Sequence, residues 1–338
     1  MTLNPTLLLI VLLALSLVIA FGIGANDESM APIVGSGAIK LKWVLLIGFG
    51  ISIVGAVFLG GAVSETIGVG LLDIGTIGPK LENLVLAVVI STSTFLILSS
   101  TKSLPVSTTV SVVGSVIGVG LYYLIAYGND VVIWVGFTNV VLGWIISPII
   151  GLVLSIAIYW FIRRYILTIP KGLRGIERME KFFLYALLIS VILSGIARAG
   201  NDVGNAIGVL TGFEGTIDLP SVTILLLIGG FGIGLGVYVL GRRVLKNVGK
   251  NIIEMRPSDG FAIQISVMII ILLATIWGFP ISGTVVLIFA IIGNSLIKHA
   301  RFSKRTVRKI IYSWILTIPV TFTVSIGICV LLFAINPI

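Results

Sequence analysis

The feature that most constrains this chain is the length of its apolar runs. Residues 5–23, 43–63, 83–100, 131–162, 182–197, 220–240, 261–281 and 310–335 each carry few or no charges. A helix needs about 20 apolar residues to cross about 30 Å of hydrocarbon. Most of the runs reach that length, so the sequence predicts an all-α protein that crosses the bilayer many times. Composition agrees, because charged residues make up 10% of 338 positions, against roughly 25% in a soluble domain. The first run reads as a span rather than a signal peptide, since no Lys or Arg precedes Lys40 and no small-residue cleavage site follows the run. Cys329 and His299 are the only residues of their kinds, so neither an intramolecular disulfide nor a histidine-based metal site can form.

Polar and Gly/Pro anchors recur in order along the chain. Ala25-Asn26-Asp27 matches Gly200-Asn201-Asp202, and Leu104-Pro105-Val106-Ser107-Thr108-Thr109 matches Phe279-Pro280-Ile281-Ser282-Gly283-Thr284, both at an offset of 175. Leu59-Gly60-Gly61-Ala62-Val63 resembles Leu240-Gly241-Arg242-Arg243-Val244 at an offset of 181, and each half closes on a Trp-to-Pro segment, Trp144–Pro148 and Trp314–Pro319. The equivalent loops reverse their charge. Residues 64–82 hold Glu65, Asp73, Lys80 and Glu82, whereas 242–256 hold five basic residues against Glu254. Lys40 and Lys42 correspond to Glu214 and Asp218, and Asp130 to the basic stretch 298–309.

Cytoplasmic loops are enriched in Lys and Arg, so equivalent loops of opposite charge lie on opposite sides of the membrane. This predicts an inverted-topology repeat, with halves 1–162 and 182–338 joined by a hydrophilic cytoplasmic linker, 163–181. Placing 163–181, 242–256 and 298–309 in the cytoplasm accounts for 17 of the 22 basic residues and leaves both termini outside. The net charge of +9 is then topological and calls for no nucleic-acid partner. Inverted repeats are characteristic of transporters, whose sites lie at the interface of the repeats. A channel or nutrient receptor on the same scaffold is the alternative class. An enzyme is not expected, because the intramembrane motifs offer no activated nucleophile paired with a base.

The motifs themselves suggest chemistry. Residues 5–39 as one straight helix would span about 52 Å at 1.5 Å per residue, which predicts a break at Asn26-Asp27. The second motif, Gly200 to Asn205, interrupts its apolar run in the corresponding place. Irregular backbone at membrane depth is tolerated where it lines a polar cavity. A buried aspartate there needs a compensating cation or proton, so Asp27 and Asp202, with Asn26 and Asn201, are candidate ligands of a hard cation such as Na⁺. Each Pro-x-Ser segment reads as the tip of a helical hairpin exposing a helix N-terminus, where free N–H groups and the helix dipole attract anions.

With these motifs in hand, the chain resembles the inorganic phosphate transporter (PiT) family. Gly24-Ala25-Asn26-Asp27 and Gly200-Asn201-Asp202-Val203-Gly204-Asn205-Ala206 match its doubled G-A-N-D-V-A-N-A segment, and the two Pro-Ser hairpins match its G-L-P-V-S-T-T-H segment. The resemblance implies uptake of inorganic phosphate coupled to Na⁺ or H⁺, without a cofactor, by a multi-pass protein of the plasma membrane, and it suggests a homodimer. It nominates Asn26, Asp27, Ser107, Thr108, Thr109, Asn201, Asp202, Asn205, Ser282 and Thr284 for contact with substrate and ion, and more weakly Glu65, whose counterpart is Lys246. Met30 replaces the family's second asparagine in the first motif, Val110 and Val285 replace the hairpin histidines, and Gly283 stands where threonine is usual. Those losses of donors keep sulfate open as the runner-up anion.

Overall fold

A computed structural model describes residues 4–37, 39–101, 106–170, 172–211, 219–251, 256–299 and 304–335. The first half contains α1 (Pro5–Ala25), α2 (Ala31–Gly35), α3 (Leu41–Leu59), α4 (Gly61–Val69), the single-turn α5 (Ile74–Ile77), α6 (Leu81–Thr101), α7 (Thr108–Tyr127) and α8 (Trp134–Phe161). The second contains α9 (Gly172–Thr211), α10 (Val222–Val239), α11 (Arg242–Asn251), α12 (Pro257–Ile276), α13 (Gly283–Lys298) and α14 (Lys304–Ile335). Among the described residues the only extended pairing is one antiparallel bridge, Leu72 with Val132.

Nine of these helical segments are long and apolar enough to cross a membrane. They sort into an interior and a shell. The spans of α6 and α7 are 72% buried within the protein, whereas those of α8 and α14 are 28% and 22% buried. The exposed residues of the shell are apolar, among them Val135, Ile149, Val153, Ile315 and Leu331. In water such a surface would be an aggregation liability; in lipid it is solvent-matched. The chain is a multi-pass membrane protein.

Glycines at matching sequence positions mark close crossings between the two halves. A Cβ on Gly236 of α10 would lie 2.0 Å from the Phe21 carbonyl oxygen of α1, and one on Gly55 of α3 would lie 2.2 Å from the Ile196 carbonyl oxygen of α9. Phe21 and Ile196 are separated by the same 175 positions as the motifs. The hairpin helices repeat the device: a Cβ on Gly118 of α7 would meet the Phe322 carbonyl oxygen of α14 at 2.7 Å, and one on Gly293 of α13 would meet that of Leu152 in α8 at 2.5 Å. In each case a helix of one half packs backbone to backbone on a helix of the other. Without a hydrophobic drive between helices in lipid, such small-residue contacts are a main source of association.

Three expectations need correcting. The linker 163–181 is helical over most of its described length: Ile162–Ile166 is a π-helical turn, and α9 begins at Gly172. The basic segment 242–256 is mostly the helix α11, whose sequence alternates cations with Val244 and Leu245, both buried. Most importantly, the second Asn-Asp motif does not break its helix, since α9 runs unbroken for 40 residues through Gly200–Asn205. The hairpin-tip residues Lys102, Ser103, Leu104 and Pro105, and the loop residues Glu214, Asp218, Glu254 and Arg301, lie outside the described residues.

Candidate functional site

The two Asn-Asp motifs diverge because their side chains find different partners. In the first, Asn26 Nδ2 donates back to the Gly22 carbonyl at 3.0 Å. Asp27 accepts from the Ser29 N–H at 2.8 Å and from Ser29 Oγ at 2.9 Å. Such local side-chain bonds offer the backbone an alternative to the helix, and α1 ends at Ala25. Gln264 of α12 then holds the irregular stretch by donating to the Ser29 carbonyl at 2.7 Å.

In the second motif the two asparagine side chains leave their own backbone alone and reach to distant elements, while Asp202 pairs with Arg198 on its own helix. Asn201 Nδ2 donates to Thr275 Oγ1 at 3.2 Å and to the Phe279 carbonyl at 2.9 Å, and its Oδ1 accepts from the Ile281 N–H at 3.2 Å. One asparagine thus satisfies both edges of the extended segment before α13. Trp144 Nε1 of α8 donates to the Pro280 carbonyl at 3.1 Å. Thr109 Oγ1 donates to the Ile281 carbonyl at 3.1 Å and accepts from Asn205 Nδ2 at 3.0 Å. The glycines of this motif serve packing: a Cβ on Gly200 would sit 2.5 Å from Leu59 Cβ, and one on Gly204 would sit 2.9 Å from the Ser64 nitrogen.

The centre of the site is a charge cluster that the sequence reading did not contain as such. Arg198, one turn before Asp202 on α9, places Nε 3.3 Å from Asp27 Oδ1 and 3.3 Å from Asp202 Oδ2, and Nη2 2.6 Å from Glu28 Oε1. Nη2 also donates to Thr284 Oγ1 at 3.1 Å. The four charged side chains are between 0% and 13% exposed. With three carboxylates and one guanidinium, the formal charge is −3 + 1 = −2. Arg198 closes the apolar run 182–197 and so reads as a flanking charge. The signal that distinguishes it is repeat register: at an offset of 175 its counterpart is Ile23, and the counterpart of Glu28 is Val203.

The nominated residues therefore divide. Asp27 meets Asp202 and Thr284 through their shared partner Arg198, and Asn205 meets Thr109, so these five join contacts that link both halves, whereas Asn201 bonds within the second half. Asn26 holds the end of α1, while Ser107 and Ser282 occupy the N-cap positions of α7 and α13, with Thr108 at the first turn of α7. The two caps differ: Ser107 Oγ accepts from the Val110 N–H at 3.3 Å, whereas Ser282 makes no side-chain cap bond. Glu65 lies on the exposed side of α4, apart from the buried cluster. Among the described residues no group of three or more His, Cys, Asp or Glu side chains is arranged to hold a metal ion. The cation shared by Asp27, Glu28 and Asp202 is Arg198.

Comparison with known proteins agrees with this architecture. The profile of the phosphate transporter family matches residues 23–325. A protein of Pyrococcus abyssi (strain GE5 / Orsay) named "Putative phosphate permease" is 31% identical, over 96% of this chain and 97% of its own length. The chloroplastic inorganic phosphate transporter 2-1 of Arabidopsis thaliana is 27% identical, over 91% of this chain and 69% of its own. A solved structure titled "The sodium-dependent phosphate transporter" superposes with a TM-score of 0.85 at 27% identity, covering 97% of this chain and 99% of the other. This chain belongs to the phosphate transporter family.

Proposed function

We propose that this protein is a secondary transporter that carries inorganic phosphate across the plasma membrane together with Na⁺. It alternates access between two inverted halves, 1–162 and 182–338, with both termini outside. The observation that carries this reading is the composition of the centre. A buried cluster of formal charge −2, drawn from both halves, adjoins the N-terminus of α13 through Thr284, and Asn205, one turn beyond Asp202, bonds to Thr109 at the start of α7. Uncompensated negative charge at membrane depth is costly, so the cluster favours cations, while helix N-termini favour anions. A site that holds both together couples their movement. On this reading Asn26, Asp27, Asn201 and Asp202 serve the cation, and Ser107, Thr108, Thr109, Asn205, Ser282 and Thr284 serve the anion.

Support from relatives is direct in name: the superposable structure is titled as sodium-dependent and as a phosphate transporter. The chemistry of the centre fits binding and release, and it offers no nucleophile–base pair for an enzymatic step. The reading is tested with the purified chain in proteoliposomes, where labelled phosphate should accumulate under an inward Na⁺ gradient. Asp27→Asn and Asp202→Asn should each abolish the Na⁺-driven component while the protein stays inserted. Excess arsenate should block uptake and excess sulfate should not. A proton gradient that drives uptake equally well without Na⁺ would replace the coupling ion, and strong block by sulfate alone would replace the anion.

A further inference from the structure

We infer that Arg198 is a direct oxyanion contact at the N-terminus of α13, and that it sets the affinity of the site for its anion. This rests on the phosphate reading above but names a residue outside the repeated motifs. Its place in the fold points to a task beyond balancing charge. Arg198 and Glu28 have the apolar counterparts Ile23 and Val203 in the repeat, and they meet each other across the two halves at 2.6 Å. An added pair of opposite charges leaves the formal charge of the centre where Asp27 and Asp202 alone would set it, at −2. What the pair changes is the set of hydrogen-bond donors beside the hairpin.

Three observations converge on the first turn of α13, a helix of 16 residues. First, the guanidinium lies against that turn: a Cβ on Gly283 would come within 3.0 Å of both Cζ and Nε of Arg198. The equivalent position on α7 is Thr108, so a glycine stands here where the repeat has a hydroxyl-bearing side chain. Glycine is what lets the planar cation occupy that space. Second, Nε and Nη2 are engaged by Asp27, Asp202, Glu28 and Thr284, but Nη1 is buried with no hydrogen-bond partner among the described residues. Third, Ser282 Oγ is likewise buried and unpartnered, and it leaves the helix uncapped. At α7 the cap is already closed by Ser107.

Buried donors without partners are rare in folded proteins and call for an explanation. Here they belong to one guanidinium, one hydroxyl and one helix terminus, all favouring the same ligand chemistry: a tetrahedral oxyanion that accepts several hydrogen bonds at once. The guanidinium also presents cationic surface to the anion in place of the three carboxylates that would repel it. Gly283 and Arg198 thus act together, the side chain filling the space that the glycine leaves and supplying the donor that it lacks.

Binding of labelled phosphate to the full chain in nanodiscs, at one saturating Na⁺ concentration, tests this with three proteins. Removing Arg198 alone leaves three buried carboxylates, so the informative variant is Glu28→Gln with Arg198→Met, which keeps the formal charge at −2. Its Kd for phosphate should rise roughly 10- to 100-fold, as expected for one lost hydrogen bond to a charged group. Adding Gly283→Thr to that variant, which returns a hydroxyl to the space vacated by the guanidinium, should recover most of the loss. Unchanged affinity in the double variant would show that Arg198 only balances charge, and would overturn the inference while leaving the phosphate reading intact. Absence of phosphate binding by the unaltered protein would overturn both.

Discussion

The two halves of this protein share a motif set and a pattern of glycine crossings, yet their centres differ. In the first half the chain breaks after Ala25; in the second the matching motif lies inside α9. Asn26 bonds to Gly22 and Asp27 to Ser29, within four residues, although Asp27 also pairs with Arg198 of the other half. Asn201 and Asn205 bond to Thr275, Phe279, Ile281 and Thr109, more than seventy residues away. The difference teaches that an Asn-Asp pair does not carry a conformation. It carries donors and acceptors, and the nearest available partners decide whether helix or break results.

The largest effect that could break this comparison concerns the charges peculiar to each half. Arg198→Ile, which makes the second half resemble the first, should cost about 3–5 kcal/mol of stability, because it strands three buried carboxylates. Adding Glu28→Val should recover much of that loss. A thermal-unfolding double-mutant cycle measures the coupling, and additive costs would show that the pair is not a unit. The glycine crossings should be the most alike. Gly55→Val and Gly236→Val each drive a side chain into a carbonyl oxygen, and each should cost about 1–3 kcal/mol or more. A large disparity between them would argue against equivalent crossings.

Smaller effects sharpen the contrast between the motifs. Asn201→Ala leaves the Phe279 carbonyl and the Ile281 N–H without their partner, at a cost of about 1–3 kcal/mol. Amide exchange should accelerate at Ile281 in that variant and not in Asn26→Ala, since Asn26 Nδ2 donates to Gly22 on its own helix. Last come the caps. Ser107→Ala should lose about 0.5–2 kcal/mol as an N-cap, whereas Ser282→Ala, with no cap bond to lose, should leave the melting temperature nearly unchanged. Equal shifts would erase the distinction between a closed and an open helix terminus.

Much of this was legible in the sequence, for reasons that can be named. The spans follow from the length of apolar runs, and the break at Asn26 follows from a stretch too long for one crossing. The role of the second motif was not legible, because Gly200 and Gly204 look like helix breakers until Leu59 and Ser64 are seen packed on them. The segment 242–256 reads as a loop when only its charges are counted, but Val244 and Leu245 give it a buried side. Arg198 stayed hidden because a cation at the end of an apolar run is ordinarily a flanking residue. Aligning the halves residue by residue exposes it, since a charge facing Ile23 has no explanation in the repeat.

The unbroken α9 has a mechanical consequence. Its 40 residues make a rod about 60 Å long at 1.5 Å per residue, about twice the thickness of the hydrocarbon layer. Such a rod resists bending along its C-terminal half, where Arg198, Asn201, Asp202 and Asn205 are mounted. The five residues between α1 and α2 form no helix. On the proposed cycle, the second half therefore supplies an axle and the first half the joint that swings about it. Two halves built from one plan would then divide the labour of motion unequally, and the resting conformation would be the one in which Asp27 and Glu28 are docked against the axle.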